Sequence, residues 1–583
     1  MILKALYDYY HRCEGLPAPG LEEKEIGFIL VISPSGKFLR FEDCRIDKKR
    51  AKTFLVKKHV GRSSGAVANY LYDNSAYVLG YSDKNTEEKN LVYFNTFKQK
   101  VEAISHKYPN NLELKALVAF YEQGKDSVYA TICQDPLWED VTKNLSSKYS
   151  TFSFRIEGDL KIIAEKQEIL DLSESSDNAK RSRCLVTGKL GKIVETTTAT
   201  MIAGSQASAK LVAFQVNSGY DSYGKKQGTN APISQEAEFA YTTALNYMLR
   251  SESKNLFRLG DRTFVFWTSS NNEASKAAEE SLFALLGNTE EKSDDPNARI
   301  LQVRKVFNAI YSGSLNTQLD DRFYILGLAP NSARIAVTYW SETPLKDFAA
   351  RILAHFDDME IYTRKNKKPC AGVVNMISAV SLKNDYKNAA PNLPEAVVKS
   401  VFEGIGYPAT LYSACIRRIR AEASSNKDNK YKYKIDIDDD NWITRAAIIK
   451  AYLNRLNDYQ NKKLHIMLDK ENCNVGYLCG RLFAVLVKIQ EDANSISTIR
   501  ERYMNAASAT PSTVFGTLLN LSAHHAEKLN DGRQIFFEKL KQEIISLIPS
   551  DGFPAHLDLQ DQGRFFIGYY HQRQDFFTKN EQE

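Results

Sequence analysis

The chain has 583 residues, 43% of them hydrophobic and 25% charged, and a formal net charge of +6. That length calls for several cores, and so mild a charge is by itself no argument for nucleic-acid binding. No run approaches the roughly 20 apolar residues needed to span a bilayer, and Met1 to Tyr10 lacks the apolar centre of a signal peptide, so a cytoplasmic protein with no membrane partner is expected.

Along the chain, the first strand-like run is Ile26 to Ile32. Between Arg45 and Arg62 come Lys48, Lys49, Arg50, Lys52, Lys57 and Lys58, opposed only by Asp47, which makes the clearest basic patch of the N-terminal part. Phe152 to Ile156, Lys210 to Val216, Thr263 to Trp267, Phe323 to Leu328 and Ala333 to Trp340 are short and β-rich. Glu88 to Ser105, Glu236 to Leu249 and Pro344 to Phe356 have helical spacing. Polar stretches at 82–90, 173–183, 288–297, 365–368 and 424–430 read as surface loops.

From Glu395 onward strand signals fade. Val475 to Ala493 carries Leu478, Leu482, Phe483, Leu486 and Ile489 on a helical repeat, with Gly476 and Gly480 able either to fray its start or to permit close packing. Thr510-Pro511 supplies an N-cap and a first-turn proline, and Ile535 to Ile548 and Leu559 to Phe577 repeat the pattern. The fold class is therefore α+β, with a mixed N-terminal region of sheets and helices followed by a C-terminal helical bundle. The expected domains are 1–200, 201–365, a helical linker region 366–466, and the bundle 467–583.

The richest segment is Ala213 to Leu245. A loop dense in glycine, tyrosine, lysine and amides joins the run ending at Val216 to a helix announced by Pro232 and the N-cap Ser234. Gly219 to Lys226 nearly spells a phosphate loop, but Lys226 stands where a hydroxyl should hold magnesium, Asp221 sits inside the cradle, and no helix starts directly after Lys225. A basic, aromatic loop of this kind suits phosphates and stacked bases better than a nucleotide. A plain surface loop is the alternative.

The block from Phe214 to Asn246 closely resembles the hallmark segment of the large subunit of type I-C CRISPR surveillance complexes, the Cascade-type assemblies that carry a guide RNA. Gly61-Arg-Ser-Ser-Gly-Ala-Val-Ala-Asn-Tyr-Leu-Tyr-Asp-Asn-Ser-Ala-Tyr-Val-Leu-Gly80 is similar to a second family block, and Cys184-Leu-Val-Thr-Gly188 and Phe323 to Arg334 to two more. One departure is visible: a His-Pro pair is expected after Gly191, where this chain has Glu195 to Thr200.

The resemblance implies a non-catalytic subunit at the 5′ end of the guide RNA, in contact with the guide-processing and backbone subunits. It would read a protospacer-adjacent motif in double-stranded target DNA, help open the duplex into an R-loop, guide the displaced strand and support recruitment of a helicase-nuclease. It further implies a separate small subunit made from an internal start, for which Met467 is the candidate. An ordinary internal methionine is the alternative.

Site residues follow from these expectations. Lys57, Lys58 and Arg62 are placed to neutralise phosphate, and Ser63, Ser64 and Gly65 to let backbone amides approach. Asn69 and Asn74 are candidates for groove-edge hydrogen bonds, or else turn caps. In the second loop Lys225 and Lys226 would meet phosphate, and Tyr220 and Tyr223 would stack on a base unless Tyr223 is core. Asn217 belongs to the same surface, and Gln227 or Asn230 would wedge at the opened pair. Arg417, Arg418 and Arg420, with the lysines from Lys427 to Lys434, would guide a displaced strand or form a solvated helix face.

Patterns for catalysis and cofactors are weak, and neither a catalytic residue nor a cofactor is expected. Eight cysteines occur without a Cys-x-x-Cys pair. Asp436 to Asn441 begins like a calcium loop, but Asn441 takes the glycine position and Ala447 that of the bidentate glutamate. His355-Phe-Asp-Asp358 lacks further ligands, and His524 and His525 point about 100° apart on a helix. A purely structural subunit touching only protein and RNA, and a metal-dependent nuclease, remain as rival functions.

Overall fold

The computed structural model describes the chain except for 48–49, 61–64, 146–149, 173–180, 201, 217–218, 220–222, 251, 287–295, 364–370, 424–438, 457–461, 495–497 and 578–583; for 296–299 it describes the backbone alone. Helices dominate and the strands form small sheets that end at Pro344, so the α+β expectation holds. The chain forms two compact units, one of Cys13–Thr198 with Phe214–Thr243, the other of Met1–Arg12, Ala199–Ala213 and Ala244–Glu583.

The first of these is built on a four-stranded sheet in the order Phe38–Asp43, Phe28–Ile32, Thr151–Ile156, Tyr72–Asn74. Phe28–Ile32 is buried along its whole length, as its unbroken apolar run requires. It pairs in parallel with Thr151–Ile156, and the crossover that parallel pairing demands is supplied by helices including Glu87–Lys107 and Leu112–Glu122. The long helix is written locally: Thr86 caps it by accepting from Lys89 N, acids follow in the first turn, and His106 and Lys107 close the last. Phe97 and Phe120 then pack against Phe154 of the sheet.

In the other unit a four-stranded antiparallel meander runs Leu256–Leu259, Arg262–Thr268, Arg322–Asn331, Arg334–Pro344. Helices Glu273–Leu285 and Leu345–Met359 cover it, with the Phe348 ring stacked on Phe323 at 4.2 Å. Downstream, the described residues form helices with short 3-10 turns. Val475–Asn494 is enclosed by its neighbours, and Leu559–Asp575 runs against it so closely that a Cβ on Gly480 would lie 2.0 Å from the Phe565 carbonyl oxygen, and one on Gly568 2.2 Å from that of Tyr477. Of the two readings of Gly480, close packing is the one realised. Pro511 opens Pro511–Ala526 as expected, although Thr510 gives it no side-chain cap.

Lys210–Val216 is not a strand. Lys210 alone makes a bridge, to Arg334: its N–H donates to Ala333 O at 3.3 Å and its carbonyl accepts from Ile335 N at 3.2 Å. β-propensity expresses itself only within a paired sheet, and no strand is formed from Leu211 to Val216.

Candidate nucleic-acid interface

Within the unit Cys13–Thr198/Phe214–Thr243, the turn from Tyr223 to Asn230 is held by its own hydrogen bonds. Lys226 N donates to Thr229 Oγ1 at 2.7 Å, that hydroxyl donates back to Lys226 O, and Asn230 Nδ2 donates to Gln227 O at 3.0 Å. Gln227–Asn230 forms one 3-10 turn, and the helix Gln235–Met248 starts later, with Ser234 Oγ capping Ala237 N as expected. Tyr223 and Gln227 both take left-handed φ, +56° and +44°. Each such non-glycine residue costs on the order of 1 kcal/mol. Lys225 and Lys226 between them are exposed, and Tyr223 is 99% exposed, which removes the core alternative for this tyrosine.

The turn is anchored to a neighbouring hairpin, Arg181–Arg183 paired with Leu190–Lys192. Gly228 N donates to Glu195 O at 2.9 Å, and a Cβ on Gly228 would sit 1.9 Å from Val194 O, so only glycine fits. Leu185 N donates to Pro232 O at 2.9 Å and Val194 N to Ile233 O at 3.1 Å. Gly191 packs under Ser234, whose N–H donates to the buried Cys184 Sγ at 3.3 Å. Burial alone pushes the Cys184 thiol up, but hydrogen bonds from Ser234 and Thr187 outweigh it and bring it down to about 7. Hairpin, lysine turn and helix start thus form one block.

The basic loop that follows Thr53–Lys57 is closed at its base. Val60 N donates to Asn69 Oδ1 at 2.9 Å and Asn69 N to Asp73 Oδ2 at 3.0 Å, so Asn69, 8% exposed, is a latch across the loop. Asn74 caps the short helix Ser75–Val78 by accepting from Ala76 N. Both asparagines therefore take the turn-cap alternative, and groove contact is withdrawn from Asn69. Lys57 ends the strand Thr53–Lys57, and its carbonyl lies 2.7 Å from Tyr72 Oη. Lys58 is turned inward: its Nζ donates to Thr198 Oγ1 at 2.7 Å and lies 3.5 Å from the nearly buried carboxylate of Glu238. That partnership corrects its expected phosphate role. Gly65 is exposed at φ +85°. Arg62, Ser63, Ser64, Asn217 and Tyr220 lie outside the described residues.

A family model described as CRISPR-associated protein (Cas_Csd1) matches residues 6–577. The chain belongs to that family. It is thereby a component of a CRISPR effector complex alongside other CRISPR-associated proteins. A search of curated proteins gave no match.

Elsewhere in this CRISPR-associated protein the expected basic run on Ala409–Ala423 is split. Arg417 is exposed, whereas Arg418 pairs with Glu422 at 2.7 Å and Arg420 donates to Ser508 Oγ at 3.3 Å, burial pushing its guanidinium down. Arg418 is thus engaged along its own helix and Arg420 across to Ser508 after the helix Thr498–Ala507, and Lys427 to Lys434 lie outside the described residues. Met467 is 51% exposed, ahead of the helix Val475–Asn494.

His355 is fully buried, its Nδ1 2.7 Å from Tyr407 Oη and its Nε2 2.7 Å from Ala371 O, and burial holds it down to about 4. It is a packing histidine. Among the described residues no group of three His, Cys, Asp or Glu side chains is arranged to hold a metal, and no helix is long and apolar enough to cross a membrane. Sequence reasoning assigned no role to the Arg181–Lys192 hairpin, although the alternation Arg-Ser-Arg-Cys-Leu before a Thr-Gly turn was its signal.

Proposed function

We propose that the chain is the large subunit of a type I-C Cascade-type complex, a non-catalytic protein that recognises the protospacer-adjacent motif in duplex DNA and helps open the target into an R-loop. The observation that carries this reading is the exposed Tyr223-Gly-Lys-Lys226 turn, strained at Tyr223 and Gln227 yet locked to its hairpin. Strain kept at exposed positions is concentrated at functional sites, and the two exposed cations between them suit contact with phosphate. In such a design pairing with the guide reads most of the sequence and protein reads the short flank. The guide RNA 5′ end, backbone and guide-processing subunits, and a helicase-nuclease complete the proposed assembly.

The test compares complexes assembled with and without this chain. The expected result is that omission abolishes binding to the flanked target duplex while a complementary single strand still pairs with the guide. Duplex binding that survives omission contradicts the proposal. The same preparations address Met467: intact-mass analysis is expected to reveal a product covering 467–583, and a complex containing only the full chain removes the internal-start part.

A further inference from the structure

We propose that the hairpin Arg181–Lys192 is a DNA-bending element whose exposed leucines, Leu185 and Leu190, enter the base stack of the duplex. The inference rests on the DNA-binding reading and assigns a part of the surface that reading leaves idle. Register fixes the geometry of the ladder: Arg181 stands opposite Lys192 and Arg183 opposite Leu190, so Arg181, Arg183, Leu190 and Lys192 share one face, and Leu185 lies in the turn just past Arg183. Gly191 on the other face, and Cys184 just past the strand end, pack on Ser234 at the helix start.

Leu185 is 61% and Leu190 77% exposed, and Arg181 stands across the ladder from Lys192. From Arg181 to Val194 the sequence has Arg181, Arg183, Lys189 and Lys192 and no acid, and the stretch Tyr223 to Gln235 pinned to it adds Lys225 and Lys226, again with no acid. Glu195 and Glu236 border this surface. An all-cationic ribbon tipped with leucine is unfavourable in water and complementary to a polyanion with an apolar interior. Minor-groove proteins use this combination, cations on the phosphates and an aliphatic wedge between base steps. The anchoring at Gly228, Pro232 and Ser234 supplies the rigidity that unstacking demands.

The experiment uses the assembled complex and a flanked target duplex carrying 2-aminopurine beside the motif and a dye pair at its ends. Wild type is expected to give a fluorescence rise and shortened end-to-end distance. Leu185→Ser with Leu190→Ser is expected to slow that rise by on the order of tenfold, about 1.4 kcal/mol in barrier, with duplex affinity nearly kept; Leu190→Ile should behave as wild type. Wild-type opening and bending by the serine variant overturn the inference. If Lys225→Ala with Lys226→Ala then weakens duplex binding, the underlying DNA-binding reading stands; if it does not, that reading fails too. A serine variant that folds but no longer assembles into the complex makes this face a protein-docking surface, which also overturns the inference.

Discussion

At the scale of residues, the deciding fact is which cations are committed inside the fold. Lys58 looked in sequence like its neighbour Lys57, yet its amine neutralises Glu238, whose side chain is only 6% exposed. Removing one partner of such a pair leaves a desolvated charge. Lys58→Ala should therefore cost roughly 1–3 kcal/mol of stability, read as a lower thermal midpoint, with Thr198→Val having a smaller effect. The buried histidines give a pH prediction. His355 is held down to about 4 and His571 to about 3, chiefly by burial, both below the unfolded value of 6.5. The unfolded chain binds more protons between those limits, so stability is full above pH 6.5 and falls as pH drops toward 4. For His355 alone the loss is about 3 kcal/mol, and His355→Gln should flatten the decline in urea titrations across this range.

At the scale of elements, backbone contacts that only glycine allows hold together both the proposed interface and the bundle. Gly228→Ala would drive a methyl into the Val194 carbonyl and free the lysine turn from its hairpin. Weakened duplex binding with unchanged circular dichroism is the expected outcome. Gly480→Ala meets the Phe565 carbonyl in the same way; it should destabilise the bundle by about 1–3 kcal/mol, the usual cost of overpacking. Elements with strong local signals were legible: Phe28–Ile32 from its apolar run, Gln235–Met248 from its Ser234 cap, and Val475–Asn494 from its periodicity. Lys210–Val216 was misread because strand formation depends on a partner that no local pattern reveals. Leu21–Glu25, pairing with Thr53–Lys57, escaped notice because Leu-Glu-Glu-Lys-Glu has no apolar alternation.

For the molecule as a whole, the family was legible because its blocks are spread along the chain, and the family model spans residues 6–577. The site was legible only in part. The sequence placed lysines and tyrosines in one loop, but the ion pair of Lys58 with Glu238 joins positions 180 residues apart, and the latch from Val60 to Asn69 depends on how the loop closes, so both are invisible to composition. The central claim is that the lysine turn touches target DNA, and each phosphate contact contributes a fixed amount to the salt dependence of binding. The most direct measurement is the affinity of the assembled complex for flanked duplex across a salt series, wild type against Lys225→Ala with Lys226→Ala. Weaker binding is expected, with a slope of log affinity on log salt shallower by roughly 1.8, about 0.9 per lysine; an unchanged affinity and slope would contradict DNA contact by this turn.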